Sequence, residues 1–172
     1  MRKQSGIEIC RTNCGSKCCR STPPGLTSED IKIIKEKTVD GDWISNIGTY
    51  EKPIFVVSKK GDTKDCYFLT EKGLCSIYDH RPLDCKFFPI FLKLKKKNEN
   101  EYSVRWLTWY CPLTEQLGTE DLRQQIKEMV VQMLKNNPQT IHEYQQVMYE
   151  TGGYKRKHFL LEEDIIISKS DT

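Results

Sequence analysis

No stretch of this sequence holds 18 consecutive apolar residues, so no segment is built to cross a membrane as a hydrophobic helix. Charge of one sign is also scarce. Against 27 Lys and Arg stand 24 Asp and Glu, a formal net charge of +3, and nucleic-acid binders usually carry a strong basic stripe. Histidine occurs only three times, as His80, His142 and His158. No Ser-His-Asp arrangement, phosphate loop or paired-carboxylate pattern stands out, and no internal repeat is visible. Met1 to Cys10 starts basic but lacks an apolar core, so a secretory leader is not expected. The expected setting is the reducing cytoplasm, with neither nucleic acid nor membrane as a partner.

What the sequence does have is cysteine. Cys10, Cys14, Cys18, Cys19, Cys66, Cys75, Cys85 and Cys111 make eight, and none lies beyond position 111. In a reducing compartment clustered cysteines are more often metal ligands than disulfides. The alternative, four disulfides in an exported protein, is disfavoured by the missing leader. It is also unnecessary, because a chain of 172 residues buries roughly 70% of its unfolded surface without staples. With 37% hydrophobic and 30% charged residues the composition is globular but polar.

The spacing of apolar residues sets the expected fold. Residues 1–25 read as a cysteine-rich, loop-like opening that ends in the turn signal Ser21-Thr22-Pro23-Pro24-Gly25. Thr27 with Asp30 resembles a capping box, followed by a short helix over 28–37. Pro53 to Ser58 reads as a strand, Cys66–Leu69 and Cys75–Tyr78 as two short strands, and Pro89–Leu94 with Glu101–Trp109 as a hairpin. Thr119 is placed to cap a helix with the stripe Leu122, Ile126, Met129, Val130, Met133 and Leu134. Asn137 and Pro138 stop it and start a second helix, with Ile141, Tyr144, Val147 and Met148 on one face. Residues 155–172 read as a polar tail, frayed from Ser168 to Thr172. The expected class is α+β: a small cysteine-rich single domain with short antiparallel strands around a metal centre and a C-terminal helical pair. Residues 1–118 form the cysteine-cluster region, and 119–172 form the helical cover and tail of the same domain.

Soft thiolate sulfur selects zinc, copper(I) or iron–sulfur clusters over hard cations. Cys10, Cys14 and Cys18 are four residues apart, which gives one face if the segment is helical; Gly15 favours a wrapping loop instead. Cys18 and Cys19 are adjacent and cannot easily bridge each other. They are expected to point two ways, toward two metals or toward one metal and the core. Structural zinc sites usually show C-x2-4-C knuckles. The first group permits this; Cys66, Cys75, Cys85 and Cys111, with their wide gaps, do not. Iron–sulfur clusters tolerate wide gaps. A radical enzyme that cleaves S-adenosylmethionine would need a cysteine where Lys17 stands, so that class is not expected. Arg11, Lys17, Arg20, Arg81 and Lys86 interleave with the thiols and can offset their charge. Arg81, in the rigid frame His80-Arg81-Pro82, is the candidate to donate to a sulfur or a backbone carbonyl. His80 is a lesser candidate ligand.

The run Cys75-Ser76-Ile77-Tyr78-Asp79-His80-Arg81-Pro82-Leu83-Asp84-Cys85-Lys86-Phe87-Phe88-Pro89 resembles C-x-I-Y-x-x-R-P-x-x-C-R-x-F-P, the pattern of the YkgJ-like cysteine cluster family. The pair Cys18-Cys19 and the later Cys111-Pro112 match it too, so the resemblance covers roughly 10–112. Lys86 departs from it, since arginine is usual there and the fork geometry is lost. The resemblance implies a zinc- or iron-chelating domain. The same cysteine pattern is found in flagellin lysine-N-methylase. The leading expectation is an iron–sulfur protein, of [4Fe–4S] type, serving electron transfer, sensing or metal delivery with a redox or other protein partner. The alternatives are a cluster-dependent protein-modifying enzyme resembling the lysine methylase, or a zinc-stapled interaction module.

Overall fold

A serine, a glutamate and a glycine fix the first helix. The computed structural model describes residues 5–21, 23–38, 41–155 and 157–167. Within it α1 spans Gly6–Cys14. The Glu8 carboxylate accepts from the Ser5 N–H and hydroxyl, each at 3.0 Å, closing the N-terminus. Gly15 ends α1 in the left-handed conformation (φ 61°), which only glycine adopts at no steric cost. Within the opening read as loop-like, Gly6–Cys14 is therefore helix, and a 3-10 turn over Lys17–Arg20 follows it.

Helix α2 (Ser28–Lys37) begins on the expected capping box. Strands β1 (Ile44–Asn46) and β2 (Phe55–Val57) form a small antiparallel pair. Leu26, Ile34, Trp43, Val57, Phe68 and Ile77 pack there as a minor core. The strands expected at Cys66–Leu69 and Cys75–Tyr78 reduce to isolated bridges, Lys59 with Cys66 and Leu69 with Cys75, and a 3-10 turn at Tyr78–His80. This segment is held by side chains and turns, not by a ladder. Helix α3 (Leu83–Phe87) then carries Cys85.

The hairpin forms as expected, β3 (Ile90–Lys96) pairing with β4 (Glu101–Thr108). A short helix, α4 (Pro112–Leu117), follows and was not expected. Gly118, at φ 82°, turns the chain into α5 (Thr119–Asn136), so Thr119 is its first residue and not its cap. Helix α6 (Pro138–Glu150) starts on the expected proline. The segment read as a polar tail is instead β5 (His158–Ile166), antiparallel to β4 in a three-stranded sheet of order β3-β4-β5. The fraying expected at Ser168–Thr172 lies outside the described residues, as does the basic start at Met1–Gln4. The major core joins this sheet to α5 and α6 through Trp106, Val104, Ile126, Val130, Ile141 and Tyr144, with Leu83 and Phe87 of α3. The class is α+β with a C-terminal helical pair. No helix among the described residues is long and apolar enough to cross a membrane.

Asp30 couples the two cores. Its Oδ2 accepts from Thr27 N at 3.0 Å and Thr27 Oγ1 at 2.8 Å, while Oδ1 accepts from Leu83 N at 3.0 Å, at the first residue of α3. Asp30→Ala would leave buried N–H groups at two helix starts without an acceptor. The expected cost is about 2–4 kcal/mol, read as a lower denaturation midpoint at unchanged slope. Asp30→Asn, which keeps one acceptor oxygen, is expected to lose less. A loss below about 0.5 kcal/mol for the alanine variant would refute this coupling.

Candidate metal centre

All eight cysteines are free, and each is partly buried. Helix α1 sets Cys10 and Cys14 one turn apart on one face, and the Cys14 thiol donates to the Cys10 carbonyl at 3.2 Å. Helix α4 packs against α1. Cys111 stands at the N-terminus of α4 in extended conformation, and its N–H donates to Thr114 Oγ1 at 3.0 Å. Cys18 and Cys19 occupy the 3-10 turn. The Cys66 N–H donates to the Cys19 carbonyl at 2.6 Å, which fixes these two backbones side by side. Cys66 and Cys75 pack against the minor core. The Ser16 hydroxyl donates to the Gly73 carbonyl at 2.8 Å and ties the first cysteine group to the turn before Cys75.

The thiols feel one another. Burial pushes Cys10 and Cys18 up to about 12, and neighbouring thiols add to it: Cys14 and Cys111 for Cys10, and Cys19, Cys10 and Cys14 for Cys18. Burial, with Cys66 and Cys75, raises Cys19 to about 11. Burial also raises Cys66, Cys75 and Cys111, and drives Cys85 well above the usual range with help from Asp84, Cys19, Cys66 and Cys75. Without a cation these seven therefore stay protonated thiols at neutral pH. Among the described residues no three histidine, cysteine or carboxylate side chains already stand where they would hold a metal ion. The sulfurs must turn toward an incoming ion. The donor chemistry fits a soft metal: clustered, desolvated thiols that become thiolates when a cation takes the place of their protons.

Of the five cations named from the sequence, two engage directly. Arg81 donates to the Tyr78 carbonyl at 2.8 Å and lies 4.0 Å from the centre of the Tyr78 ring. There its charge favours the thiolates of both Cys10 and Cys75. Arg20 donates to the Gly15 carbonyl at 3.1 Å and pairs with Asp65 at 2.7 Å, and it acts on Cys19. Lys86 instead faces Asp30. Arg11 and Lys17 are exposed, and so are His80 and His142.

Three participants were not foreseen. Lys60 donates to the Leu69 carbonyl and acts on Cys66. Lys157, delivered by the approach to β5, sits over the Phe91 and Trp109 rings at 4.3 and 4.6 Å and faces Asp84 and Cys18. Asp84 is half-buried and accepts from the Gly25 N–H at 3.1 Å; desolvation raises its carboxyl to about 6. None of these has a sequence signal: Asp84 and Lys157 act across contacts distant along the chain, and Lys60 reaches its neighbours only through the turns between Lys60 and Leu69. Lys157 also lines a shallow cleft with Trp109, Tyr110 and His158, immediately before Cys111 in sequence.

A family model, CxxCxxCC, described as "Putative zinc- or iron-chelating domain", matches residues 9–112. No curated protein and no solved structure matches. The matched stretch begins one residue before Cys10, ends one residue after Cys111, and so encloses all eight cysteines and the Cys75–Pro89 motif. With more than half of its length inside that match, this chain belongs to the CxxCxxCC family of zinc- or iron-chelating domains.

Proposed function

We propose that this chain is a carrier or sensor that holds a [4Fe–4S] iron–sulfur cluster through its cysteines, and that it works by exchanging electrons or metal with a protein partner. The observation that carries the reading is that eight free, half-buried thiols from distant stretches of chain lie close enough to act on one another. Cys66, Cys75 and Cys85 are too widely spaced for zinc knuckles, and iron–sulfur clusters accept such spacing. Partial exposure favours a centre that communicates with the outside, since exposure and hydrogen bonding set a cluster's potential. Bound iron would supply one-electron chemistry. The chain's own part is to present thiolates, to offset their charge with Arg81, Arg20 and Lys60, and to keep bulk water off the sulfurs through Tyr67 and Phe68.

Protein purified without oxygen is expected to be brown, to absorb at about 400 nm and to release acid-labile sulfide in step with its iron. Colourless protein with stoichiometric zinc would overturn the cluster. Zinc is the second reading, favoured by one observation: the close spacing of Cys10, Cys14 and Cys18 across α1 and the turn after it.

A further inference from the structure

We infer that the eight thiols serve two separate metal centres, Cys10, Cys14, Cys18 and Cys111 at one and Cys19, Cys66, Cys75 and Cys85 at the other, joined at the Cys18–Cys19 peptide. This rests on the reading of the chain as a metal protein and goes beyond it, because a zinc- or iron-chelating family description fixes neither the number of centres nor their ligands.

Backbone geometry separates the sets. Cys10 and Cys14 share a face of α1; α4 packs on that helix and carries Cys111 at its start. The helix that carries Cys10 and Cys14 is thus packed against the helix that Cys111 opens. The other set hangs from the minor core. Cys66 is bonded through its N–H to the Cys19 carbonyl, the Leu69–Cys75 bridge returns Cys75 beside it, and both side chains pack on the same cluster. Helix α3, with Cys85, is tied to the start of α2 by Asp30 and to Gly25 by Asp84. That anchors the helix carrying Cys85 to the Gly25–Asp30 segment, whose Leu26 belongs to the minor core.

The joint is the pair in the 3-10 turn. Such a turn has about three residues per revolution, so consecutive side chains leave it roughly 120° apart. Two adjacent cysteines there cannot face one ion equally, and divergence is the natural outcome.

Arg81 fits between the two. Four thiolates around a divalent ion leave net negative charge, so neighbouring centres repel. The Arg81 guanidinium, pinned by the Tyr78 carbonyl and ring, acts on Cys10 of one set and Cys75 of the other.

The test counts centres in the full chain. Native mass spectrometry of protein loaded with zinc alone, or with iron and sulfide under nitrogen, is expected to show two centres. Cys14→Ser and Cys75→Ser are each expected to keep half the metal, and the double variant none. Where a variant fails to fold, stepwise chelation of the wild type with thiol alkylation replaces it, and the four thiols of one set are expected to label together. One centre per chain, loss of all metal in both single variants, or labelling that mixes the sets would overturn the division. The identity of the metal reports on the cluster reading separately. Two zinc ions would end that reading and keep the two centres, while a single [4Fe–4S] cluster would do the reverse.

Discussion

Stripping the metal is expected to unfold the cysteine half of the molecule while the sheet and its two long helices stay folded. The reason lies in how unequally the two parts are supported. The β3-β4-β5 sheet, α5 and α6 close over the major core, which includes Trp106, Val130, Ile141 and Tyr144. The cysteine half rests on a core of six buried residues, and between Cys66 and His80 it has only isolated bridges and a 3-10 turn. Metal binding free energy there is folding free energy. Structural zinc supplies about 10–16 kcal/mol in isolated finger peptides at neutral pH. Even a third of that would lower the melting temperature by roughly 10–20 °C in a chain of this size. Amide exchange is expected to accelerate in residues 6–20 and 66–87 and to remain slow in β4 and α5. Cys85→Ser is expected to lose stability together with metal, since α3 also contributes Leu83 and Phe87 to the major core. The pH dependence has a definite sign. Burial and neighbouring thiols raise Cys10 and Cys18 to about 12 in the metal-free protein, and a metal binds only the thiolates, so loading releases protons. Retention of metal is therefore expected to fall as pH falls. Apo protein with unchanged melting and unchanged exchange would refute the expectation.

The sequence was informative wherever a local rule met no long-range competitor. The Thr27–Asp30 box, the β3–β4 hairpin and the break at Asn137-Pro138 all follow from neighbours within a few residues, and all are present. The stripe on α5 is mostly right: Ile126, Val130 and Leu134 are buried, but Met129 is exposed and Arg123 takes a buried place. The motif from Cys75 to Pro89 was enough to indicate the family. Two elements escape a local reading, for different reasons. Helix α4 was missed because a cysteine followed by proline reads as loop, although that proline pre-sets the first helical turn. β5 was missed because Glu162, Glu163 and Asp164 lower its apolar content, and of its side chains only Ile165 is fully buried. An edge strand held by ion pairs looks like a tail until its partners are known. The strands expected around Cys66 and Cys75 fail for the opposite reason. Their aromatic and β-branched residues go into the minor core, and the backbone follows the cysteines instead of a partner strand.

Those ion pairs make Glu163→Ala a costly change away from the cysteines, on a par with Asp30→Ala. Glu163 accepts from Trp106 Nε1 at 2.8 Å, and its carboxylate also takes the Arg123 guanidinium and the Lys127 ammonium. It fastens the edge strand β5 to β4 and to α5 at once. Arg123 is only 4% exposed, so removing Glu163 strands a buried charge, although Glu120 still bonds Arg123 Nε at 2.9 Å. Breaking a buried pair from one side costs about 3–5 kcal/mol. The retained Glu120 and the partial exposure of Glu163 reduce this to about 2–4 kcal/mol. Glu163→Gln keeps an acceptor for Trp106 and is expected to fall between. Replacing the pair with apolar residues, Glu163→Leu with Arg123→Met, is expected to recover most of the loss, because no charge is then left buried. Acid provides an independent check. Burial pushes the Glu163 carboxyl up, but Lys127, Trp106 and Arg123 outweigh it and hold it below its ordinary 4.5. A depressed carboxyl contributes stability above its unfolded value and loses it as pH falls through the folded one. The wild type is therefore expected to lose stability more steeply below about pH 4.5 than Glu163→Gln does. Parallel acid profiles for the two proteins, or a Glu163→Ala midpoint equal to wild type, would show that β5 is held by its ladder alone.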